Sequence, residues 1–125
     1  MVRSFISALV AIAILLSISI CEQTLLNDTF NEVKESAVIV YKKIEDDTAV
    51  KEDVLSLQKL WIEKKKVLHL IVSHNDIKEM DLWIAEATTL VENNKKEDAI
   101  SKIDVVVELC QQIPKMYSFL PQNIF

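Results

Sequence analysis

The sequence predicts an all-α protein, an N-terminal transmembrane helix followed by an antiparallel four-helix bundle. Three observations carry that prediction. Residues 4–21 are uncharged and free of Pro, with Arg3 before them and Glu22, Asp28 and Glu32 after. The chain has no Gly and only two Pro, whereas hairpins, phosphate loops and oxyanion-type turns lean on Gly for positive φ. From residue 22 onward the apolar positions recur at spacings of three and four, the pattern of one helical face.

Leu, Ile, Val and Phe dominate residues 4–21, which favours insertion into a bilayer. As a helix the run is about 27 Å long, slightly under a ~30 Å hydrocarbon core. Arg3 is the only basic residue before Lys34, so the N-terminus is expected inside and the remainder outside the cytoplasmic membrane. The alternative is secretion after signal cleavage, because Ser17, Ser19 and Cys21 offer small residues for a processing site. Residues 1–21 are therefore assigned as a membrane anchor or signal peptide, 22–113 as an extracytoplasmic helical bundle, and 114–125 as an aromatic tail.

The first soluble stripe is Leu26, Phe30, Val33, Ala37, Val40 and Ile44, and nothing between residues 4 and 45 breaks a helix, so anchor and first helix can run on as one rod. The second stripe is Val50, Val54, Leu57, Trp61, Leu68 and Ile71, ending near Ser73-His74-Asn75. Asp76 with Glu79 suggests a capping box opening the third helix, whose stripe is Ile77, Met80, Ile84, Ala87 and Val91, with Trp83 and Leu90 beside it. The fourth is Ala99, Ile103, Val106, Cys110 and Ile113, and Pro114 should end or kink that helix.

Two segments echo each other: Ile44-Glu45-Asp46-Asp47 before Lys51-Glu52-Asp53, and Val91-Glu92-Asn93-Asn94 before Lys96-Glu97-Asp98. A helical hairpin used twice would explain this, and so would the ordinary frequency of Lys-Glu-Asp strings on helix surfaces. Short connections make neighbours antiparallel, which puts the His74 turn, the end of the fourth helix and the tail on the membrane side. There Tyr117, Phe119, Ile124 and Phe125 would either cover the bundle's end or contact the membrane surface.

The arrangement of anchor, Trp61, His74 followed by Asp76-Ile77, Ala99 in a helix opening with Lys-Glu-Asp, and the ending Leu120-x-x-Asn-Ile-Phe resembles the family called domain of unknown function 4363. The resemblance spans nearly the whole chain, with Asn123-Ile124-Phe125 its most specific piece. It implies a membrane-anchored extracytoplasmic helical domain of clostridia and related Gram-positive bacteria, and it transfers no catalytic residues. The sequence departs from it before Leu120, where Pro114 and Tyr117-Ser118-Phe119 replace a more charged stretch.

No catalytic, metal or cofactor constellation stands out. The net charge of −5 disfavours nucleic acid. His69 and His74, five apart, would point about 140° from each other on a continuous helix and could not share a zinc ion. His74 reads as part of a turn cap. The acidic pairs lack the alternation and Gly of a calcium loop. Cys21 and Cys110 could meet near the membrane, although Cys110 lies in an apolar stripe. Lys64 interrupts the second stripe and invites pairing with Asp104 on the fourth helix.

The expected function is a non-catalytic interaction or accessory module for another membrane protein, with Trp83 at a stripe edge as a candidate contact. The alternatives are a homo-oligomer, favoured by Ser4, Ser7, Ala8, Ala11, Ala13 and Ser17 in the anchor, and a small-ligand sensor at the membrane surface.

Overall fold

A computed structural model describes residues 1–117. Four helices account for nearly all of them: α1 (Val2–Glu45), α2 (Lys51–Leu68), α3 (His74–Glu92) and α4 (Lys96–Met116). Each helix packs on its neighbours in chain order, and α4 closes the ring against α1, giving an up-down-up-down bundle. No strand occurs among the described residues.

The apolar segment and the first bundle helix are one continuous helix. Burial divides it in two. Its most apolar stretch has no part inside the protein, whereas Leu26, Phe30, Val33, Ala37, Val40 and Ile44 are all buried. Every apolar residue of the first and fourth predicted stripes lies in the core, as do Val54, Leu57, Trp61 and Leu68 of the second and Ile77, Met80, Ile84 and Ala87 of the third. Ile71 and Val91 are half-buried against that core, and Val50 is the exposed N-cap of α2, outside the packed face. Thr29 and Thr88 are also buried, each donating its hydroxyl to the carbonyl four residues earlier, Leu25 at 2.7 Å and Ile84 at 2.8 Å. That back-bond satisfies the hydroxyl locally and lets a polar residue occupy a core position.

The two echoing segments form the same structure. Asp47 and Asn94 both take the left-handed conformation, at φ 60° and 56°. In each case two backbone bonds close the helix end: Thr48 N to Lys43 O at 2.8 Å with Asp47 N to Ile44 O at 3.1 Å, and Lys95 N to Leu90 O at 2.9 Å with Asn94 N to Val91 O at 3.1 Å. These are Schellman closures, which usually call on Gly. In a chain without Gly, Asp and Asn are the residues that tolerate this backbone best. Lys96 pairs with Asp47, and Lys51 lies 3.7 Å from Glu92, so the two turns are tied together at the end away from the apolar segment.

Three boundaries differ from expectation. α2 ends at Leu68, and residues 69–73 turn through short bonds such as Leu70 N to Val67 O and Ile71 N to Leu68 O, both i to i−3. The cap of α3 is Ser73, whose Oγ accepts the Asp76 N–H at 3.3 Å and donates to Asp76 Oδ2 at 2.9 Å, so neither an Asp76–Glu79 box nor His74 caps this helix. Pro114 neither stops α4 nor opens the tail. The helix continues to Met116, and the freed end is held by Tyr117.

Candidate interaction surfaces

The features that tie the helices together are polar clusters on the flanks of the core. Trp61 is buried with only 1% of its surface exposed, and its Nε1–H donates to Asp81 Oδ1 at 2.6 Å. Lys65 reaches the same carboxylate at 3.1 and 3.3 Å. The indole sits one turn before Lys65 on α2, and Asp81 sits opposite both on α3, so a single acid satisfies a buried donor and a cation. Phe30 of α1 lies beside the indole, with ring centroids 6.2 Å apart.

Lys64 does not pair with Asp104. Its ammonium lies 2.6 Å from Glu32 of α1, and Asp104 is exposed on α4. Lys64 faces the α1 side of α2, and the hydrogen bond with Glu32 raises its pKa above the ordinary 10.5. Asp53 shows the opposite shift. Lys43 at 2.7 Å and the Val50 N–H at 2.9 Å hold its carboxylate below the usual 3.8.

At the other end of the bundle Tyr117 joins α4 to the α2–α3 turn. Its hydroxyl accepts the Ser73 N–H at 2.9 Å and donates to Asp76 Oδ2 at 2.7 Å. A cleft of about 180 Å³ lies there between Glu22, Gln23, Leu26, Ile71 and Tyr117. Gln23 Nε2 donates to Pro114 O at 3.4 Å across the same junction. Phe119, Ile124 and Phe125 lie outside the described residues.

The two histidines are closer than a continuous helix would allow. Because α2 stops at Leu68, His69 and His74 flank the turn with ring centroids 6.1 Å apart. Both are exposed, and no group of three metal-binding side chains forms among the described residues. Cys21 is exposed and Cys110 buried, both as free thiols. Burial pushes the Cys110 thiol up to about 12, leaving it a small packed hydrophobe.

Trp83 is half-buried at the edge of the α3 face, with Lys102 Nζ 4.7 Å from the ring centroid. The same ammonium lies 3.4 Å from Glu86. Next to it runs a shallow, mostly apolar groove of about 380 Å³ between α3 and α4, lined by Ala85, Glu86, Thr89, Leu90 and Lys102. A second depression of about 330 Å³, on α1, is lined by Asn31, Lys34, Glu35, Val38 and Ile39.

These features define a class: a four-helix bundle whose first helix extends out of the core as an apolar rod long enough to cross a membrane. The chain belongs to the family described as domain of unknown function DUF4363, whose family model matches residues 20–124. That match takes in the whole bundle and the C-terminal segment. No curated protein and no solved structure matches the chain.

Proposed function

We propose that this protein is a non-catalytic accessory module, anchored in the cytoplasmic membrane by the first part of α1, that binds another membrane protein through the α3–α4 groove. The observation that carries the anchor is the division of α1. An apolar rod with no protein covering it requires a different apolar environment, and a bilayer is the one its length suits. The lone Arg3 before the run favours the N-terminus inside and the bundle outside.

The groove supports the binding role because it combines apolar floor, a large aromatic edge at Trp83 and a Lys102–Glu86 pair at the rim. That composition is typical of helix-accepting surfaces. A photo-crosslinking amino acid at Thr89, on the groove, and at Lys59, on exposed α2, tests it in native membranes. One heterologous adduct from position 89 and none from 59 is the expected result. Equal labelling from both positions, or none from either, defeats it.

A second reading, self-assembly through the anchor, draws on the small residues Ser4, Ser7, Ala8 and Ala11, which share one side of α1. Adducts of twice the chain's mass in the same experiment would favour it over a foreign partner.

A further inference from the structure

The two ends of the bundle differ in chemistry. The end away from the apolar run carries Asp46, Asp47, Asn93, Asn94, Lys95 and Lys96, all exposed, with Val50 as an exposed apolar residue beside them. The near end is studded with apolar side chains instead. Leu70, in the α2–α3 turn, is 87% exposed, and Val67, Met116 and Leu25 toward the same end are exposed as well. Turns facing water are normally filled by Asn, Asp, Ser or Gly, and a Leu projecting from one is a departure that asks for an apolar environment.

Chain connectivity says what that environment is. Ile71, the residue after Leu70, shares a cleft with Glu22, Gln23 and Leu26, the first residues of α1 beyond the apolar run. The run ends at Cys21 in the same unbroken helix. The turn therefore lies within about one helical turn, ~5.4 Å, of the end of the apolar rod. A rigid helix, rather than a flexible linker, holds it at that height.

Charge agrees. From Lys64 through Asn75 the chain carries no carboxylate, and Lys66, His69 and His74 are exposed beside Leu70. Of the nearby acids, Asp76 is bonded to Ser73 and Tyr117, and Glu22 stands on the α1 side of the cleft. Apolar side chains flanked by cations and polar aromatics suit the boundary between acyl chains and headgroups. Tyr117, clipped to Ser73, supplies the aromatic.

We propose that the bundle rests on the bilayer with its α2–α3 turn dipped into the lipid interface, Leu70 entering the acyl region and Lys66, His69 and His74 lying among the headgroups. This rests on the anchor reading above and adds to it an orientation: the α3–α4 groove is presented sideways, along the membrane plane, where a neighbouring membrane protein's outer domain would lie.

The test uses the full chain with Cys21→Ser, reconstituted in phosphatidylcholine vesicles containing phosphatidylglycerol and a nitroxide-bearing lipid. An environment-sensitive fluorophore is attached at Leu70→Cys, at Asn93→Cys on the far end, or at Ala11→Cys within the rod. Cys110 is buried and does not label in the folded protein. Leu70 is so exposed that its replacement leaves the packing intact, and circular dichroism verifies this for each variant.

The expected result is a blue-shifted probe at position 70, quenched several-fold more strongly by the lipid nitroxide than the probe at 93. Strong quenching at 11 with position 70 behaving like 93 would overturn the inference and leave the anchor standing. No quenching at 11 would remove the anchor and the inference together. Protection of position 70 from an aqueous quencher in native membranes without lipid quenching would mean that a protein covers the turn, which also overturns it.

Discussion

Trp61 is the residue whose surroundings most constrain substitution. Its indole is buried, and its one donor has a single acceptor, Asp81. Asp81→Ala should leave that N–H unpaired and cost about 1–3 kcal/mol, whereas Asp81→Asn, which keeps an acceptor oxygen, should cost less. Urea unfolding of both variants decides it, and equal losses would mean that the Lys65 ion pair rather than the indole bond matters. Asp53 makes a pH prediction. Its carboxylate is held below 3.8 by Lys43 and the Val50 N–H, so the folded state binds its proton less readily than the unfolded state. The stability it contributes is full above 3.8 and disappears as pH falls through the lower folded value. Asp53→Asn should be less stable than the parent at pH 7, and the gap should narrow on titration toward pH 2. A gap that stays constant with pH would contradict the argument.

Which of these residues could be read from the chain follows from the kind of information each needs. Core positions such as Phe30, Leu57 and Ile103 are set by the 3.6-residue period alone. The partner of Lys64 depends on which face of α2 meets α1 and at what height, which the sequence does not carry, and the fold supplies Glu32 in place of Asp104. Asp81 lies among ordinary helix-surface residues, and only the approach of α2 to α3 makes it an acceptor for Trp61.

At the scale of elements, the paired Schellman turns are the sharpest feature. A non-Gly residue in the left-handed region is strained by its Cβ against the neighbouring carbonyl, and Asp47 and Asn94 both carry that strain. Asn94→Gly should therefore stabilise the bundle by a few tenths to about 1 kcal/mol, measured by thermal melting, because Gly relieves the strain at the helix end. Asn94→Ala should move the other way. Asp47 is the less clean site, since its carboxylate also pairs with Lys96. The echo in sequence at these two turns corresponds to one shared backbone. The end of α2 is not legible in the same way: His69-Leu70-Ile71-Val72 looks like continuing helix, and Ser73, which caps the next one, is held by Tyr117, 44 residues away. A continuous helix keeps His69 and His74 on different faces, and the end of α2 at Leu68 lets the turn bring them together.

For the whole molecule, the central question is whether the apolar rod is part of the folding unit. Among the described residues the buried apolar side chains all lie at or beyond Leu26, and the core closes through α2, α3, α4 and the part of α1 from Leu26 onward, without help from the apolar first part of α1. The family match likewise begins at residue 20. A chain lacking residues 2–20 should then unfold cooperatively in the same mild detergent, within about 1 kcal/mol of the full chain. The loss would come mainly from fraying of the new α1 terminus. Gln23, which reaches Pro114 of α4, is a contact that such fraying could disturb. If the shortened chain instead lost its cooperative transition, the rod would be stabilising the bundle through an arrangement that the exposed surface of α1 does not reveal. It would then have to be treated as a structural helix first and an anchor second. If the bundle survives intact, the division of α1 into an apolar part outside the folding unit and a core-forming part holds. The contacts at the junction, where Tyr117, Ile71 and Leu26 line one cleft, then mark the near boundary of the folding unit.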